Sequence, residues 1–145
     1  MIHSTDLIKK WEGFSEYAYP DPGTGGKPWT IGYGSTTWED GSPVKKGQKI
    51  TKEKAEGLLN DYLIRNVRPK IADLKLNPSQ KAAIESLCYN IGVNAFLRSK
   101  CYKALKEQDW ATFIKEYDWF KASGKVLKGL VKRRVEELYW FFKDM

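Results

Sequence analysis

The sequence predicts an α+β domain in which a small β-rich lobe interrupts an otherwise helical chain. Three observations predict it. A short apolar face of Leu7, Ile8 and Trp11 stops at Gly13. Glycine, proline, threonine and tyrosine then dominate residues 14–50, where KPWTIGYGSTTWEDGSPV reads as short strands joined by turns. From Thr51 onward, apolar residues recur at helical spacing almost to the end.

Each element has a local reason. Ser4 can cap a helix over 4–12, which is placed at the junction of two lobes. Thr51 caps the next helix, whose apolar side is Ala55, Leu58, Leu59, Tyr62 and Leu63, and Pro69 limits or bends it. This long helix is expected to join the β-rich lobe, about 14–50, to a helical lobe, about 70–145. Asn77 and Pro78 open a further helix with Ala83, Ile84, Leu87, Cys88 and Ile91 on one face, closed by Gly92. Three more helical segments are expected at Phe96–Lys106, Asp109–Phe120 and Lys125–Lys143. There is no repeat, linker or low-complexity tract, so 1–145 reads as a single domain.

Composition narrows the function classes. Hydrophobic residues make up 41% of the 145, and aromatics 14%, enough for a packed core. The charge of +7, from 25 Lys and Arg against 18 Asp and Glu, suits a polyanionic partner: nucleic acid, an anionic membrane or an acidic wall polymer. There is no CxxC, and His3 is the sole histidine, which argues against a zinc site. Cys88 and Cys101 lie in helical stretches and are expected as core thiols of a reducing compartment. The N-terminal MIHSTDLIKKWEG has no apolar run of signal or membrane length. Synthesis in the cytoplasm is therefore expected, and action elsewhere calls for a separate means of release.

Two acids stand nine positions apart across the change of texture. Glu12 falls in the last turn of the first helix, where unpaired carbonyls carry partial negative charge, and Trp11 offers an apolar neighbour. Both favour a protonated carboxyl, as a general acid requires. Asp21, in YPDPGTGG, sits in an exposed turn near free amides and is expected to stay ionised. Two carboxyls with opposed settings suit glycoside cleavage: one protonates the leaving oxygen, and the other steers water onto the anomeric carbon. Thr30 can help hold that water. Both placements also have a purely structural explanation, since Asp is favoured in turns for its own hydrogen bonding.

WEGFSEYAYPD, WTIGYGST, NIGVNAF and GLVKRRVEEL together resemble the phage-type lysozymes, glycoside hydrolase family 24, across essentially the whole chain. That family carries a Glu at the end of its first helix, an Asp after eight intervening residues, and a Thr opening a TIGYG-like strand. The resemblance implies a lysozyme-like fold and hydrolysis of the β-1,4 bond between N-acetylmuramic acid and N-acetylglucosamine in peptidoglycan. Inversion at the anomeric carbon is expected, with neither metal nor organic cofactor, and so is release from the host cytoplasm through a separately made membrane pore. By resemblance Glu12 is the proton donor, Asp21 the water-orienting carboxylate and Thr30 the third member. Tyr89, Asn90 and Ser99 match cleft-lining positions, and Arg133, with Arg134 next to it, matches an arginine that pairs with the catalytic Glu and ties the lobes together. Asn90 also reads as an ordinary helix-end residue, and Ser99 as a helix surface position.

Two departures from the family pattern bear on the site. PGTGGK makes the Asp-to-Thr gap eight residues in place of the usual five, so Thr24 competes with Thr30 for the third role. Ser35 stands where many members have His, so any ion pair made by that His is absent.

Rival readings are a lytic transglycosylase, a membrane-permeabilising helix and a nucleic-acid binder. A transglycosylase has no use for Asp21. Lys125–Lys143 carries six cations and two acids beside Trp140, Phe141 and Phe142, but those rings are expected in the core of the helical lobe. No recognised nucleic-acid motif occurs. The partner expected is peptidoglycan, met by a monomer, without stable membrane insertion.

Overall fold

The computed structural model describes residues 2–122 and 124–145. It divides into two compact units, Ile8–Arg65 and the residues before Ile8 together with Asn66–Met145.

The first unit begins within helix α1 (Ser4–Glu12). Ile8 is fully buried, and the Gly13 amide closes the helix onto the Lys9 carbonyl at 3.1 Å. Strands β1 (Ser15–Tyr19) and β2 (Thr30–Gly32) form an antiparallel pair in which Ser15 faces Gly32 and Tyr19 faces Thr30, with an irregularity between. On the other edge of β1, Ala18 donates to the Gln48 carbonyl and Ile50 to the Glu16 carbonyl, both at 2.9 Å. Helix α2 (Lys52–Tyr62) is capped by the Thr51 hydroxyl, which accepts from the Lys54 amide at 3.2 Å. Its buried side is Ala55, Leu58 and Leu59, as the apolar spacing predicts. The sheet lies directly on this helix: a Cβ added to Gly32 would come within 2.9 Å of Ala55 Cβ.

The expected long helix runs from Lys52 to Ile71 without a non-helical residue, but not as one α-helix. A π-helical stretch, Leu63–Val67, separates α2 from the single turn α3 (Arg68–Ile71), which has Pro69 at its start. Proline supplies no amide to the preceding turn, so the α-helical ladder cannot run through. The boundary between the two units falls inside that stretch, and α2 therefore belongs with the β-rich unit.

The second unit is organised around α4 (Pro78–Ile91) and α8 (Lys128–Lys143). Asn77 and Gln80 form a reciprocal capping box at the start of α4, a feature that typically stabilises a helix by about 1 kcal/mol. Sequence spacing gave α4 one apolar face, but Ala82–Cys88 are buried without a break, Glu85 and Ser86 included. It is a central helix enclosed on every side.

Three segment boundaries differ from expectation. The helix expected over Phe96–Lys106 is two, α5 (Val93–Leu97) and α6 (Lys100–Glu107), because Ser99 caps α6 and donates to the Phe96 carbonyl. The next, α7 (Trp110–Glu116), stops before Tyr117. An antiparallel hairpin of β3 (Lys121–Ala122) and β4 (Lys125–Val126) follows, and α8 starts three residues later than expected. Positive φ at Gly124 supports that turn.

Of the C-terminal aromatics, Phe141 belongs to the core. Phe141 is fully buried with its ring centroid 4.6 Å from that of Phe113, and Trp110 meets both edge-on. Trp140 and Phe142 are half-buried, and the Trp140 indole donates to Glu136 Oε2 at 3.0 Å. Among the described residues, no helix is long and apolar enough to cross a membrane.

Beside the aromatic core lies a buried charged cluster. Glu137 is fully buried, and Arg134 Nη2 donates to its Oε2 at 3.1 Å while Arg134 Nε lies 2.7 Å from Oε1. Ser86 and Tyr117 donate to the same carboxylate at 2.6 Å and 3.1 Å. Removing one partner of such a pair leaves uncompensated buried charge. Glu137→Ala is expected to cost about 3 kcal/mol in stability, read as a fall in the urea midpoint.

Cys88 and Cys101 are buried free thiols, as expected of core residues. Burial, assisted by the Glu137 and Glu85 carboxylates, pushes the Cys88 thiol far up. Burial, with Asp118 and Glu116, pushes Cys101 up to about 12. Neither forms a thiolate at neutral pH. Iodoacetamide at pH 8 is expected to leave both unmodified in the native protein and to alkylate both in urea, by intact-mass analysis.

Candidate active site

Glu12, Asp21 and Thr30 all belong to the first unit. Glu12 is the last residue of α1 and is half-buried, with Trp11 half-buried beside it. Its carboxylate lies against the backbone of the loop after β2. A Cβ at Gly34 would stand 2.6 Å from Glu12 Oε1 and 3.2 Å from its Cδ. Only a residue without a side chain leaves room there. Gly34 also has φ of 88°, in the left-handed region that side chains resist.

Tyr19 is a functional candidate that sequence reasoning missed. Partial burial, followed by the negative charge of Glu12, raises its phenol above the usual range. It lies opposite Thr30 in the β-ladder and two residues before Asp21, and it feels the charge of Glu12. The available signal was its position in YAYPD, where a tyrosine precedes the acidic turn.

Asp21 is held by its own turn. Its Oδ2 accepts from the Gly23 amide at 3.0 Å and the Thr24 amide at 3.1 Å. The backbone closes the loop as well, with the Asp21 amide donating to Gly26 and the Gly25 amide to Asp21. The PGTGGK insertion is therefore a compact turn organised by the aspartate itself. The free amides anticipated around Asp21 are these two donors.

The same bonds bear on the two threonines. Thr24 is exposed, and its hydroxyl donates to the Lys27 carbonyl at 2.8 Å and accepts from the Gly26 amide at 3.2 Å. It is engaged in holding the turn. Thr30 is half-buried at the start of β2. Ser35 is buried and pairs through its backbone with Ile31 in both directions, at 2.8 and 2.9 Å.

The remaining predicted residues belong to the second unit. Tyr89 is half-buried and Asn90 exposed, both in the last turn of α4. The Ser99 hydroxyl is occupied at both ends, accepting from the Tyr102 amide at 3.1 Å and donating to the Phe96 carbonyl at 2.6 Å. Arg133 is buried, and its partners within this unit are Glu137 Oε2 at 3.4 Å and the Ser86 carbonyl and hydroxyl at 3.1 and 3.3 Å. Arg134 is buried too and also donates to the Trp119 carbonyl. Among the described residues, no cluster of three or more His, Cys, Asp or Glu side chains is arranged to hold a metal ion.

Comparison with known proteins identifies the fold and the family. The endolysin of Bacillus phage B103 is 38% identical over 135 residues, which cover 91% of this chain and 49% of that relative. The chain thus spans about half the length of this relative and of its counterpart from Bacillus phage PZA. A lysozyme variant from phage P22 superposes with a TM-score of 0.76 at 32% identity, covering 97% of this chain and 99% of the other. The muramidase domain of SpmX from Asticaccaulis excentricus superposes with a TM-score of 0.79 at 29% identity, covering 96% and 94%. The fold is the α+β lysozyme fold. The family model described as phage lysozyme matches residues 9–137, a span that includes Glu12, Asp21, Thr30 and Arg133. The chain belongs to the phage lysozyme family.

Proposed function

We propose that the protein is an endolysin with muramidase activity, hydrolysing the β-1,4 bond between N-acetylmuramic acid and N-acetylglucosamine in bacterial peptidoglycan during phage release. The observation that carries this reading is the holding of two carboxylates in one unit by unlike means. Glu12 is pressed against Gly34 at a helix end, whereas Asp21 is gripped by the amides of Gly23 and Thr24. Membership of the phage lysozyme family supports it.

In this reading Glu12 is the general acid. It protonates the glycosidic oxygen as the bond to the anomeric carbon breaks. Asp21 accepts a proton from a water on the opposite face of the sugar ring, and that water becomes the new hydroxyl. Configuration therefore inverts. The Thr30 hydroxyl assists in holding the water, a role for which Thr24 is poorly suited because its hydroxyl is engaged in the turn. Tyr89 and Asn90 contact the glycan, while Ser99 contributes by fixing the start of α6. No step calls for a metal or organic cofactor.

The experiment is digestion of purified peptidoglycan by the wild type and by Asp21→Asn, with products read by mass spectrometry. Free reducing ends are expected from the wild type. Asp21→Asn is expected to lose about a hundredfold or more in rate, the scale of general base catalysis. Anhydro-muramoyl ends would instead indicate a transglycosylase, and undiminished hydrolysis by Asp21→Asn would remove that residue from the mechanism.

A further inference from the structure

The β-rich unit carries a groove of about 660 Å³ whose lining residues the reaction above does not use. Its floor is apolar: Pro28, Trp29, Pro43 and Val44, of which Val44 is buried and Trp29 half-buried. Three lysines, Lys27, Lys45 and Lys46, line the same groove and are exposed. No acidic side chain is among its lining residues.

The walls are held in place from outside the groove. The Lys27 carbonyl accepts from the Thr24 hydroxyl at 2.8 Å, within the turn that Asp21 organises. On the other wall the Lys45 amide donates to Gln48 Oε1 at 2.7 Å, and the Trp38 indole donates to that same oxygen at 2.9 Å. Both lysine-bearing loops therefore have fixed backbones, and little ordering is needed for a ligand to find them.

An apolar floor ringed by three cations calls for a ligand with small apolar groups and several negative charges. We infer that this groove receives the stem peptide carried by the glycan strand, a short chain with an alanine methyl group towards either end and free carboxylates along its length. The methyl groups would lie on Pro28, Trp29 and Pro43, and the carboxylates would face Lys27, Lys45 and Lys46. The choice of ligand rests on the peptidoglycan reading above. Lys27, Pro28 and Trp29 lie in the connection between Asp21 and Thr30, so the groove adjoins two of the proposed catalytic residues along the chain.

The test is a titration of the ¹⁵N-labelled full chain with the free tetrapeptide L-Ala-D-Glu-diaminopimelate-D-Ala, followed by NMR. Saturable shifts are expected at the Trp29 indole and at the amides of Lys27, Lys45 and Lys46. Lys45→Gln/Lys46→Gln is expected to weaken binding about fivefold, the scale of losing two exposed charge contacts. Shifts confined to other residues, or unchanged affinity in the double variant while its spectrum stays folded, would overturn the assignment. So would saturation of the groove by a glycerol-phosphate oligomer at concentrations where the peptide has no effect. Because the peptide contains no glycosidic bond, its binding and muramidase activity are read separately. A chain that cuts peptidoglycan yet ignores the peptide contradicts only this inference, and one that binds the peptide yet cuts nothing contradicts only the proposed reaction.

Discussion

Glu12→Gln is expected to reduce turnover of peptidoglycan by about three to four orders of magnitude, at the upper end of what a positioned general acid contributes. Glutamine preserves the size of the side chain and its place at the end of α1. It has no proton to transfer to a leaving oxygen. Because the residue is only half-buried, the fold should be retained, with a circular dichroism spectrum matching that of the wild type. Rates within a few-fold of the wild type would refute the acid assignment, because the leaving oxygen would then be protonated without a carboxyl at position 12.

The second large effect is expected at a residue with no chemistry of its own. A Cβ at Gly34 would stand 2.6 Å from Glu12 Oε1, well inside contact distance, so Gly34→Ala must displace the carboxylate. The atom it meets is the end of a flexible side chain, and the Glu12 carboxylate can swing away without unfolding the lobe. A displacement of about 1 Å in a catalytic group can cost about a hundredfold in rate. The substitution also places alanine at φ of 88°, a strain of about 1 kcal/mol or more. The prediction is therefore a loss of roughly two orders of magnitude in activity with a modest fall in thermal midpoint. A fully active Gly34→Ala protein would show that the position of Glu12 against this loop is not the productive one.

What was legible in the sequence was mainly what local chemistry decides. Ser4–Glu12 forms the predicted helix, and Thr51 and Asn77 are caps because their side-chain oxygens meet free amides a turn ahead. The apolar side of α2 follows from spacing alone. The Asp21 turn was legible as a turn, but its particular bonds were not, since they depend on which of several glycine and threonine amides the carboxylate reaches.

Features set by distant residues were hidden. Ser99 reads as a surface position until the Phe96 carbonyl is seen to claim its hydroxyl, which divides one expected helix into α5 and α6. The β3–β4 hairpin is too short for an alternating pattern to register. Glu85, Ser86 and Glu137 look like polar-face residues of amphipathic helices, yet all three are buried. Glu137 is there because Arg133, Arg134, Ser86 and Tyr117 converge on its carboxylate, partners separated from it by between three and 51 positions. Likewise, TIGYG identifies the strand, but the need for glycine at position 34 appears only when the end of α1 is placed against it.

In the proposed reaction water attacks from the side opposite the departing sugar, activated by Asp21 while Glu12 protonates the leaving oxygen. The most direct measurement is ¹H NMR of the reducing end in the first moments of digestion, before the anomers equilibrate. The α anomer of N-acetylmuramic acid is expected to appear first from the β-linked substrate. First appearance of the β anomer, or of an anhydro sugar with no reducing end, would contradict it.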